Sequence, residues 1–258
     1  MATVESNGAT IYYEVHGQGE AVVLAHGRGG NGASWWQQVP HFSQTYRVIV
    51  FDHRAFGRSV GGAETFTQRQ LADDLVAILD AEGIARAALV TQSVGGWTGL
   101  GAAVYHPKRV SCLVLASTLA GLLTPEGRTA LDALAPDAVP LPGRALAPDY
   151  PEREPEMTML YAQLSAFNTA FDPRSIDFFR DPANAIGPER LEGYDVPTLF
   201  ISGEHDRIFP PHVISSVAAA LPGAELEPFP GAGHSPYWEN APLFNEMVEK
   251  FLAKYLKG

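Results

Sequence analysis

Short apolar runs rich in β-branched residues alternate with longer, helix-like segments along most of this 258-residue chain. One such segment, Gln68–Glu82, repeats apolar side chains at helical spacing and carries aspartates on its other side, which indicates an amphipathic helix. Strands that alternate with helices favour an α/β architecture, with a mostly parallel central sheet and helices on both faces. The predicted strands are Thr10–His16, Ala21–Ala25, Arg47–Asp52, Ala87–Thr91, Val110–Ser117, Val196–Ser202 and Ala224–Phe229, and further helices are predicted at Gly95–His106 and Leu243–Leu256.

The alternation stops in residues 120–190, where ten of the 20 prolines lie and no strand-like run occurs. The clearest helical stretch in this region is Glu156–Phe167. We interpret the region as a helical cap, or lid, inserted into a core formed by residues 1–119 and 191–258. A linker to a separate domain is the alternative, but apolar residues such as Leu122 and Leu123 disfavour a solvated linker.

The composition argues against several classes of function. Lysine and arginine number 18 against 29 aspartates and glutamates, for a net charge of −11, so a nucleic-acid partner is not expected. The single cysteine, Cys112, excludes an intrachain disulfide and a cysteine-based zinc site. No apolar run approaches the ~20 residues that span a bilayer. The first ten residues lack the apolar core of a signal peptide, so we expect a cytoplasmic protein with no membrane partner.

The stretch Ala87–Gly96, AALVTQSVGG, carries the strongest chemical signal. A buried strand runs into a turn with Ser93 at its apex, followed by glycines and a helix, which approximates the nucleophile elbow G-x-S-x-G. Small residues are needed two positions either side of the serine, because the strand and the helix pass close together. Gly95 meets this need, whereas Thr91 stands where glycine is usual. The alternative interpretation is a serine that caps a helix after a buried strand.

Two distant segments place an acid and a histidine after later strands. The segment VPTLFISGEHDR contains Asp206, and the segment FPGAGH ends in His234. The chain order Ser93, Asp206, His234 matches the order of a nucleophile, acid and base in one type of catalytic triad. In such a triad the histidine deprotonates the serine and the carboxylate orients the imidazole. Glu204, earlier in the same turn, is a weaker candidate for the acid.

A glycine-rich loop follows the strand in Ala21–Gly30, AVVLAHGRGG. A reacting carbonyl oxygen needs backbone N–H donors nearby, and a loop of this kind beside the nucleophile can supply one. We predict that the N–H groups of Arg28 and Val94 form this oxyanion hole. An ordinary glycine turn between a strand and a helix is the alternative interpretation.

Together, the motifs HGRGG, FDHRAFGRS, TQSVGG, SGEHDRIFPP and GAGHSPYWENAPLF resemble the α/β-hydrolase fold superfamily over essentially the whole chain outside the cap. The sequence is most similar to small bacterial serine hydrolases of the 3-oxoadipate enol-lactonase, carboxylesterase and cofactor-free haloperoxidase type. The resemblance implies the α/β-hydrolase fold, a catalytic triad of Ser93, Asp206 and His234, and a reaction without cofactor or metal. Thr91 and Ala55 depart from glycines of that family.

Aromatic residues near the predicted site are candidates for contacts with an apolar part of the substrate. Two are tryptophans that follow the oxyanion loop or the histidine, and two are phenylalanines of the cap. They are Trp35, Trp238, Phe167 and Phe171. Packing within the core or within the cap is the alternative for each of them.

The predicted function is hydrolysis of a small or medium carboxylic ester or lactone through an acyl-enzyme on Ser93. Three alternatives keep the fold: a C–C bond hydrolase of a vinylogous diketone, a perhydrolase or lyase, and a catalytically silent ligand-binding protein. The elbow TQSVGG differs from the N-S-M/L-G-G type of the C–C hydrolases, and a silent protein would be expected to lack a triad member. The expected partner is a small-molecule substrate, and the sequence leaves the oligomeric state open.

Overall fold

The computed structural model describes residues 1–62, 65–133, 141–169 and 176–256, and its strands and helices alternate as predicted. The strands are β1 (Ala2–Ser6), β2 (Ala9–His16), β3 (Ala21–Ala25), β4 (Arg47–Phe51), β5 (Ala87–Gln92), β6 (Val110–Ala116), β7 (Thr198–Gly203) and β8 (Glu225–Phe229). The helices are α1 (Val39–Phe42), α2 (Gln68–Ala81), α3 (Gly95–Tyr105), α4 (Pro125–Ala133), α5 (Leu141–Ala145), α6 (Tyr150–Arg153), α7 (Pro155–Ala166), α8 (Ile176–Arg180), α9 (Pro211–Ala220), α10 (Pro236–Glu239) and α11 (Ala241–Tyr255). Short 3-10 turns cover Gly32–Trp35, Pro107–Arg109, Pro182–Asn184 and Pro188–Arg190.

The strands form one sheet in the order β1-β2-β4-β3-β5-β6-β7-β8. Strand β2 pairs antiparallel with β1 and with β4, and every pairing from β4 to β8 is parallel. The predicted mostly parallel sheet is therefore confirmed. Because parallel strands end at the same edge, the loops after β3, β5, β7 and β8 meet there, which is where α/β proteins build their sites.

The edge strand β1 is not among the predicted strands. Most of its side chains are exposed, so it lacks a clear hydrophobic pattern. Asn7 and Gly8 connect it to β2 with positive φ angles of 43° and 81°. An Asn-Gly pair is a strong signal for a two-residue hairpin, because both central residues of the favoured turn need positive φ. This dipeptide was the available sign of the hairpin in the sequence.

Alternate side chains of the buried strands supply a core on each face of the sheet. In β5, Leu89 packs on the side of α2 and α3, whereas Val90 packs on the side of α11. Both side chains are fully buried. Burial of an aliphatic side chain of this size stabilises the folded state by about 1.5–3 kcal/mol. Helices are therefore held on both faces, as predicted.

The last helix, α11, covers the second face of the sheet. The side chain of Asn240 caps its N-terminus by accepting a hydrogen bond from the Leu243 N–H at 3.3 Å. Phe244, Val248 and Phe251 of this helix are buried in the core. In the described ranges, no helix is both long enough and apolar enough to cross a membrane.

Helices α4 to α8 occupy the region between β6 and β7, and the described part of residues 120–190 contains no strand. The hydroxyls of Tyr161 and Ser235 lie 2.9 Å apart, which joins α7 to the loop after β8. Nη2 of Arg207, in the loop after β7, donates to the Leu146 carbonyl oxygen at 3.2 Å. This region therefore lies against the carboxyl ends of β7 and β8, over the predicted site.

Candidate active site

Three loops at the carboxyl edge of the sheet bring Ser93, Asp206 and His234 together. Ser93 follows β5, Asp206 follows β7 and His234 follows β8, as predicted. Nδ1 of His234 lies 2.8 Å from Oδ2 of Asp206, and Ser93 and His234 line the same cavity. All three residues are buried, Ser93 being 9% exposed. The structure thus assembles the predicted nucleophile, acid and base, and their catalytic roles stay a prediction.

Ser93 occupies a strained turn. Its φ of 51° lies in the left-handed region, which costs a residue other than glycine about 1–3 kcal/mol and persists only where surrounding contacts hold it. The Ser93 N–H donates to the Ala116 carbonyl oxygen at 3.0 Å, and the Thr118 hydroxyl donates to the Ser93 carbonyl oxygen at 2.6 Å. These contacts hold the strained turn at the edge of the cavity, as a nucleophile elbow requires.

Thr91, the departure from the usual elbow glycine, is accommodated by the helix opposite. Its hydroxyl donates to the Val114 carbonyl oxygen of β6 at 2.8 Å, so the buried polar group is satisfied. The facing residue of α3 is Gly99, where an added Cβ atom would lie 2.8 Å from Cγ2 of Thr91. The close approach of strand and helix is therefore preserved, because the missing side chain is on the helix.

Both oxygens of the Asp206 carboxylate have hydrogen-bond partners. Its Oδ1 atom accepts hydrogen bonds from two backbone N–H groups of the following turn, Ile208 and Phe209, at 2.8 and 2.9 Å. Its Oδ2 atom faces Nδ1 of His234, which leaves Nε2 of the ring for proton exchange. Glu204, the other candidate acid, is exposed and accepts instead from a glycine N–H of the loop after β8. The geometry therefore favours Asp206 as the partner of the histidine.

The loop after β3 lies against the start of α3. A Cβ atom on Gly95 would lie only 2.1 Å from the Ala25 carbonyl oxygen, so this approach requires glycine. It brings Arg28 and Val94, the predicted oxyanion-hole residues, to the cavity that Ser93 lines. Two neighbouring backbone segments beside the nucleophile are what an oxyanion hole is built from.

The buried ring of His26 supports this loop. Its Nε2 atom accepts the His53 N–H at 3.0 Å, so Nδ1 carries the proton and donates to the Gly27 carbonyl oxygen at 2.8 Å. Complete burial lowers the pKa of His26 to about 4, so the ring is neutral near pH 7. His26 therefore holds the backbone of the loop.

The cavity is mostly apolar and small, with a volume of about 70 Å³. Its walls come from the loops at the sheet edge and from helices α3, α4, α5, α7 and α8. The lining residues are Arg28, Gly29, Gln92, Ser93, Val94, Trp97, Leu131, Arg144, Ala145, Tyr161, Phe179, Ile208, Phe209 and His234. An apolar cavity with a few polar groups suits a small organic ligand. Within the described part of the chain, no cluster of three His, Cys, Asp or Glu side chains could hold a metal ion.

Three of the four predicted substrate contacts do not line this cavity. Trp35 is 0% exposed and packs in the core, its ring centroid 4.5 Å from that of Tyr237. Trp238 is 1% exposed and its ring packs against that of Tyr161. Tyr161, and not Trp238, lines the cavity. Phe167 is 65% exposed at the end of α7. Phe171 lies outside the described residues.

Two polar residues that support the site are not among the predicted site residues. Gln92 precedes Ser93, and its side chain donates to the His234 carbonyl oxygen at 2.8 Å. The carboxylate of Glu239 accepts hydrogen bonds from the backbone on both sides of His234. Each lies within a motif singled out in the sequence, TQSVGG or GAGHSPYWENAPLF. Proximity to Ser93 and His234 was therefore the available signal, although it does not reveal what either side chain contacts.

Comparison with known proteins adds sequence relatives to this geometry. A family profile described as alpha/beta hydrolase fold matches residues 20–241. RutD of Caulobacter vibrioides, provisionally named a carbamate hydrolase, is 31% identical over 262 residues, which cover 94% of this chain and 95% of that protein. The match thus extends over nearly the whole of both proteins.

Solved structures agree over the same length. Est816, described as an N-acyl homoserine lactone degrading enzyme, has 31% identity and a TM-score of 0.82, over 97% of this chain and 100% of that one. The enol-lactonase from Burkholderia xenovorans LB400 has 27% identity and a TM-score of 0.83, over 98% of this chain and 100% of that one. The predicted fold class and resemblance are therefore confirmed, and the relatives' names support a hydrolase. The chain belongs to the alpha/beta hydrolase fold family.

Proposed function

We propose that this protein is a serine hydrolase that cleaves a small or medium carboxylic ester or lactone through an acyl-enzyme on Ser93. In the proposed reaction His234 acts first as general base and then as general acid, and Asp206 orients it. The backbone N–H groups of Arg28 and Val94 bind the oxyanion.

The observation that carries this proposal is the 2.8 Å hydrogen bond between His234 and Asp206, next to the cavity that Ser93 lines. A serine hydroxyl is a weak nucleophile until a neighbouring base removes its proton. The carboxylate of Asp206 favours the imidazole tautomer with its proton on Nδ1. It also stabilises the imidazolium that forms when Nε2 takes the serine proton.

In the acylation step, Oγ of Ser93 attacks the carbonyl carbon of the substrate while its proton passes to Nε2 of His234. The carbonyl oxygen becomes an oxyanion and accepts hydrogen bonds from Arg28 and Val94. Loss of one such donor typically costs about 3 kcal/mol in the transition state. The bond from carbon to the leaving oxygen then breaks, and His234 returns the proton to that oxygen. An acyl group remains on Ser93.

In the deacylation step, water attacks the carbonyl carbon of the acyl-enzyme and His234 removes the water's proton. The bond to Oγ of Ser93 breaks, the proton returns to Oγ, and the acid is released. With a lactone, the acid and the alcohol leave as one hydroxy acid, because the leaving oxygen stays attached to the acyl chain.

The proposed cap, residues 120–190, supports a substrate with a compact apolar part. Leu131, Ala145, Tyr161 and Phe179 all come from this region and line the cavity with Ser93. Their side chains bury apolar surface on binding, at about 25 cal/mol per Å² of area removed from water. A short or branched acyl chain therefore fits the cavity better than a long one.

A carbamate is a second candidate substrate, favoured by the provisional name of the Caulobacter vibrioides relative. Attack by Ser93 would proceed in the same way, but the nitrogen donates electrons into the carbonyl group of the intermediate. A carbamoyl-enzyme would therefore lose its acyl group to water more slowly. A burst of leaving group followed by slow turnover would mark such a substrate.

The test combines covalent labelling with a substrate panel. The full chain is incubated with a fluorophosphonate probe, and the labelled peptide is identified by mass spectrometry. Initial rates are then measured with p-nitrophenyl esters from acetate to octanoate, with γ- and δ-lactones, and with aryl carbamates. We expect labelling at Ser93 and the highest kcat/KM among the short esters or the lactones.

Two serine variants make this test specific. Ser93→Ala should abolish labelling and lower kcat by at least about 10³-fold. Ser117→Ala is the matched control, because Ser117 is also buried, directly follows the neighbouring strand β6 and has a similar φ of 48°. If labelling and turnover survive in Ser93→Ala, or never occur in the wild type, the proposed function is wrong.

A further inference from the structure

Glu239 is the last residue of α10, five positions after His234 in the chain. Its Oε1 atom accepts hydrogen bonds from the N–H groups of Gly233 and Ser235, at 2.9 and 3.4 Å. These are the two residues that flank His234. The carboxylate therefore bridges the two backbone N–H groups that flank the histidine and holds the backbone on each side of it.

The other oxygen of the same carboxylate reaches the region proposed as the cap. Oε2 of Glu239 accepts the Ala147 N–H at 2.7 Å. Ala147 is fully buried and follows α5, whose residue Ala145 lines the cavity. One carboxylate thus satisfies donors from two chain segments that are far apart in sequence.

These two segments touch each other closely. A Cβ atom on Gly233 would lie 2.6 Å from the backbone nitrogen of Ala147. At this distance neither segment can shift far without moving the other or losing a hydrogen bond to Glu239. Tyr161 adds a second link, because its hydroxyl lies 2.9 Å from that of Ser235. The loop that carries His234 is therefore tied to the cap at two points.

We propose that Glu239 is a positioning residue, which couples the position of the cap to the orientation of the His234 side chain. The inference rests on the proposed function, since it assigns Glu239 a role in the reaction of Ser93. His234 must aim Nε2 first at the serine hydroxyl and then at the leaving oxygen. A misplacement of about 1 Å in such a site can lower the rate by about 10²-fold.

A carboxylate is the group that this position needs, because both of its oxygens accept hydrogen bonds. In Glu239→Gln the amide keeps one acceptor and turns an N–H donor toward the other segment. Either Ala147 or the pair Gly233 and Ser235 then loses its acceptor. The substitution preserves size and shape, so it breaks the link without leaving a void.

The first experiment measures steady-state kinetics and labelling of this variant at pH 8, above the pKa of about 7 to which burial raises the Glu239 carboxyl group. We expect Glu239→Gln to lower kcat by about 10- to 100-fold, while KM changes by less than about threefold. The rate of fluorophosphonate labelling at Ser93 should fall by a similar factor. Glu204→Gln is the matched control. Glu204 accepts the N–H of Gly231 in the same loop at 2.9 Å, and among the described residues no hydrogen bond or ion pair joins it to the cap.

The second experiment reads the link directly, by hydrogen exchange at the Ala147 and Gly233 amides. We expect at least one of them to lose protection in Glu239→Gln and both to keep it in Glu204→Gln. Glu239→Asp tests the coupling should Glu239→Gln fail to fold. It keeps both acceptor oxygens but shortens the side chain by one carbon, so one carboxylate can no longer reach both segments.

The outcomes separate this inference from the proposed function. If the wild type hydrolyses esters and both Glu239→Gln and Glu239→Asp retain kcat within about twofold, the inference is wrong and the proposed function stands. If the wild type neither hydrolyses esters nor labels at Ser93, both are wrong. A loss of kcat with unchanged amide exchange would also overturn the inference, because the effect would not come through the loop.

Discussion

The side-chain amide of Gln92 donates a hydrogen bond to the backbone carbonyl oxygen of His234, with 2.8 Å between Nε2 and the oxygen. Gln92 directly precedes Ser93, so this bond joins the turn of the proposed nucleophile to the loop of the proposed base. The two residues are 142 positions apart in the chain. Their contact sets the distance between two loops that must cooperate in proton transfer.

This contact predicts the effect of Gln92→Leu. The substitution leaves the buried His234 carbonyl oxygen without its donor, which should cost about 1–3 kcal/mol in unfolding free energy. Because the histidine loop is released, kcat for ester hydrolysis should fall by about tenfold or more. Chemical denaturation and initial rates measure the two effects.

Gln37→Leu is the matched control for that variant. Gln37 also donates to a backbone carbonyl, that of Trp238, at 3.2 Å. It lies outside the residues that line the cavity. A similar loss of kcat in both variants would show that Gln92 acts only through general stability.

The identity of the acid can be tested with Asp206→Asn. The Asn amide can still offer an oxygen to the turn after it, but it presents an N–H donor to Nδ1 of His234. The wrong tautomer is then favoured, and kcat should fall by about 10⁴-fold with little loss of stability. Glu204→Gln should stay within about twofold of the wild type. The reverse order of activities would reassign the acid.

Glu239 predicts a dependence of stability on pH. Burial raises the pKa of its carboxyl group from the ordinary value of 4.5 to about 7, against the backbone N–H groups that lower it. Between these values the folded protein holds a proton that the unfolded chain has released. The resulting stabilisation is complete below about pH 4.5 and is lost as the pH rises through about 7.

The measurement is a comparison of wild type and Glu239→Gln by urea denaturation from pH 4.5 to 8. The unfolding free energy of the wild type relative to the variant should fall by about 3 kcal/mol over this range. Titratable groups near Glu239 include His234, Tyr150, Arg153, Tyr161 and Tyr237, and these are common to both proteins. Parallel stability curves would show that Glu239 does not titrate as proposed.

The packing of Thr91 against α3 predicts a coupled pair of substitutions. In Gly99→Ala the new methyl group would meet Cγ2 of Thr91 at 2.8 Å and Cδ1 of Leu113 at 2.7 Å. Such overpacking should cost about 1–3 kcal/mol in unfolding free energy. Thr91→Ala removes the first contact, so it should cost less in the Gly99→Ala background than alone.

A double-mutant cycle with urea denaturation gives the coupling between the two positions. We expect the double variant to be more stable than the sum of the single effects by about 1 kcal/mol. Additive effects would mean that the helix shifts as a whole and that Gly99 does not compensate for Thr91.

The sequence allowed the strands and the positions of Ser93, Asp206 and His234 at their ends to be predicted because those signals are local. A buried strand is a continuous apolar run, and the turn after it carries its functional residue in the next few positions. The elbow TQSVGG and the loop GAGH each contain the residues that set the conformation of their own turn. Strand β1 was missed because its apolar pattern is weak, although Asn7 and Gly8 marked its turn.

The wall of the cavity could not be predicted in the same way. Trp35 and Trp238 are close in the chain to the site, yet both rings turn into the core, and Tyr161 lines the cavity in their place. Residues 120–190 have no regular alternation, so their periodicity does not say which face meets the sheet. The orientation of each ring depends on how helices from separate segments pack against one another.

By itself, then, the sequence determined the order of the elements, the family, and the loops that carry the candidate triad. Only the tertiary structure decided that Gln92 and Glu239 hold the histidine loop and which aromatic rings meet the cavity. The first set of features, those that the sequence determined, is encoded in short segments of about a dozen neighbouring residues. The second set depends on contacts such as those of Gln92 with His234 and of Glu239 with Ala147, which are 142 and 92 positions apart in the chain. The packing of the whole domain sets their geometry.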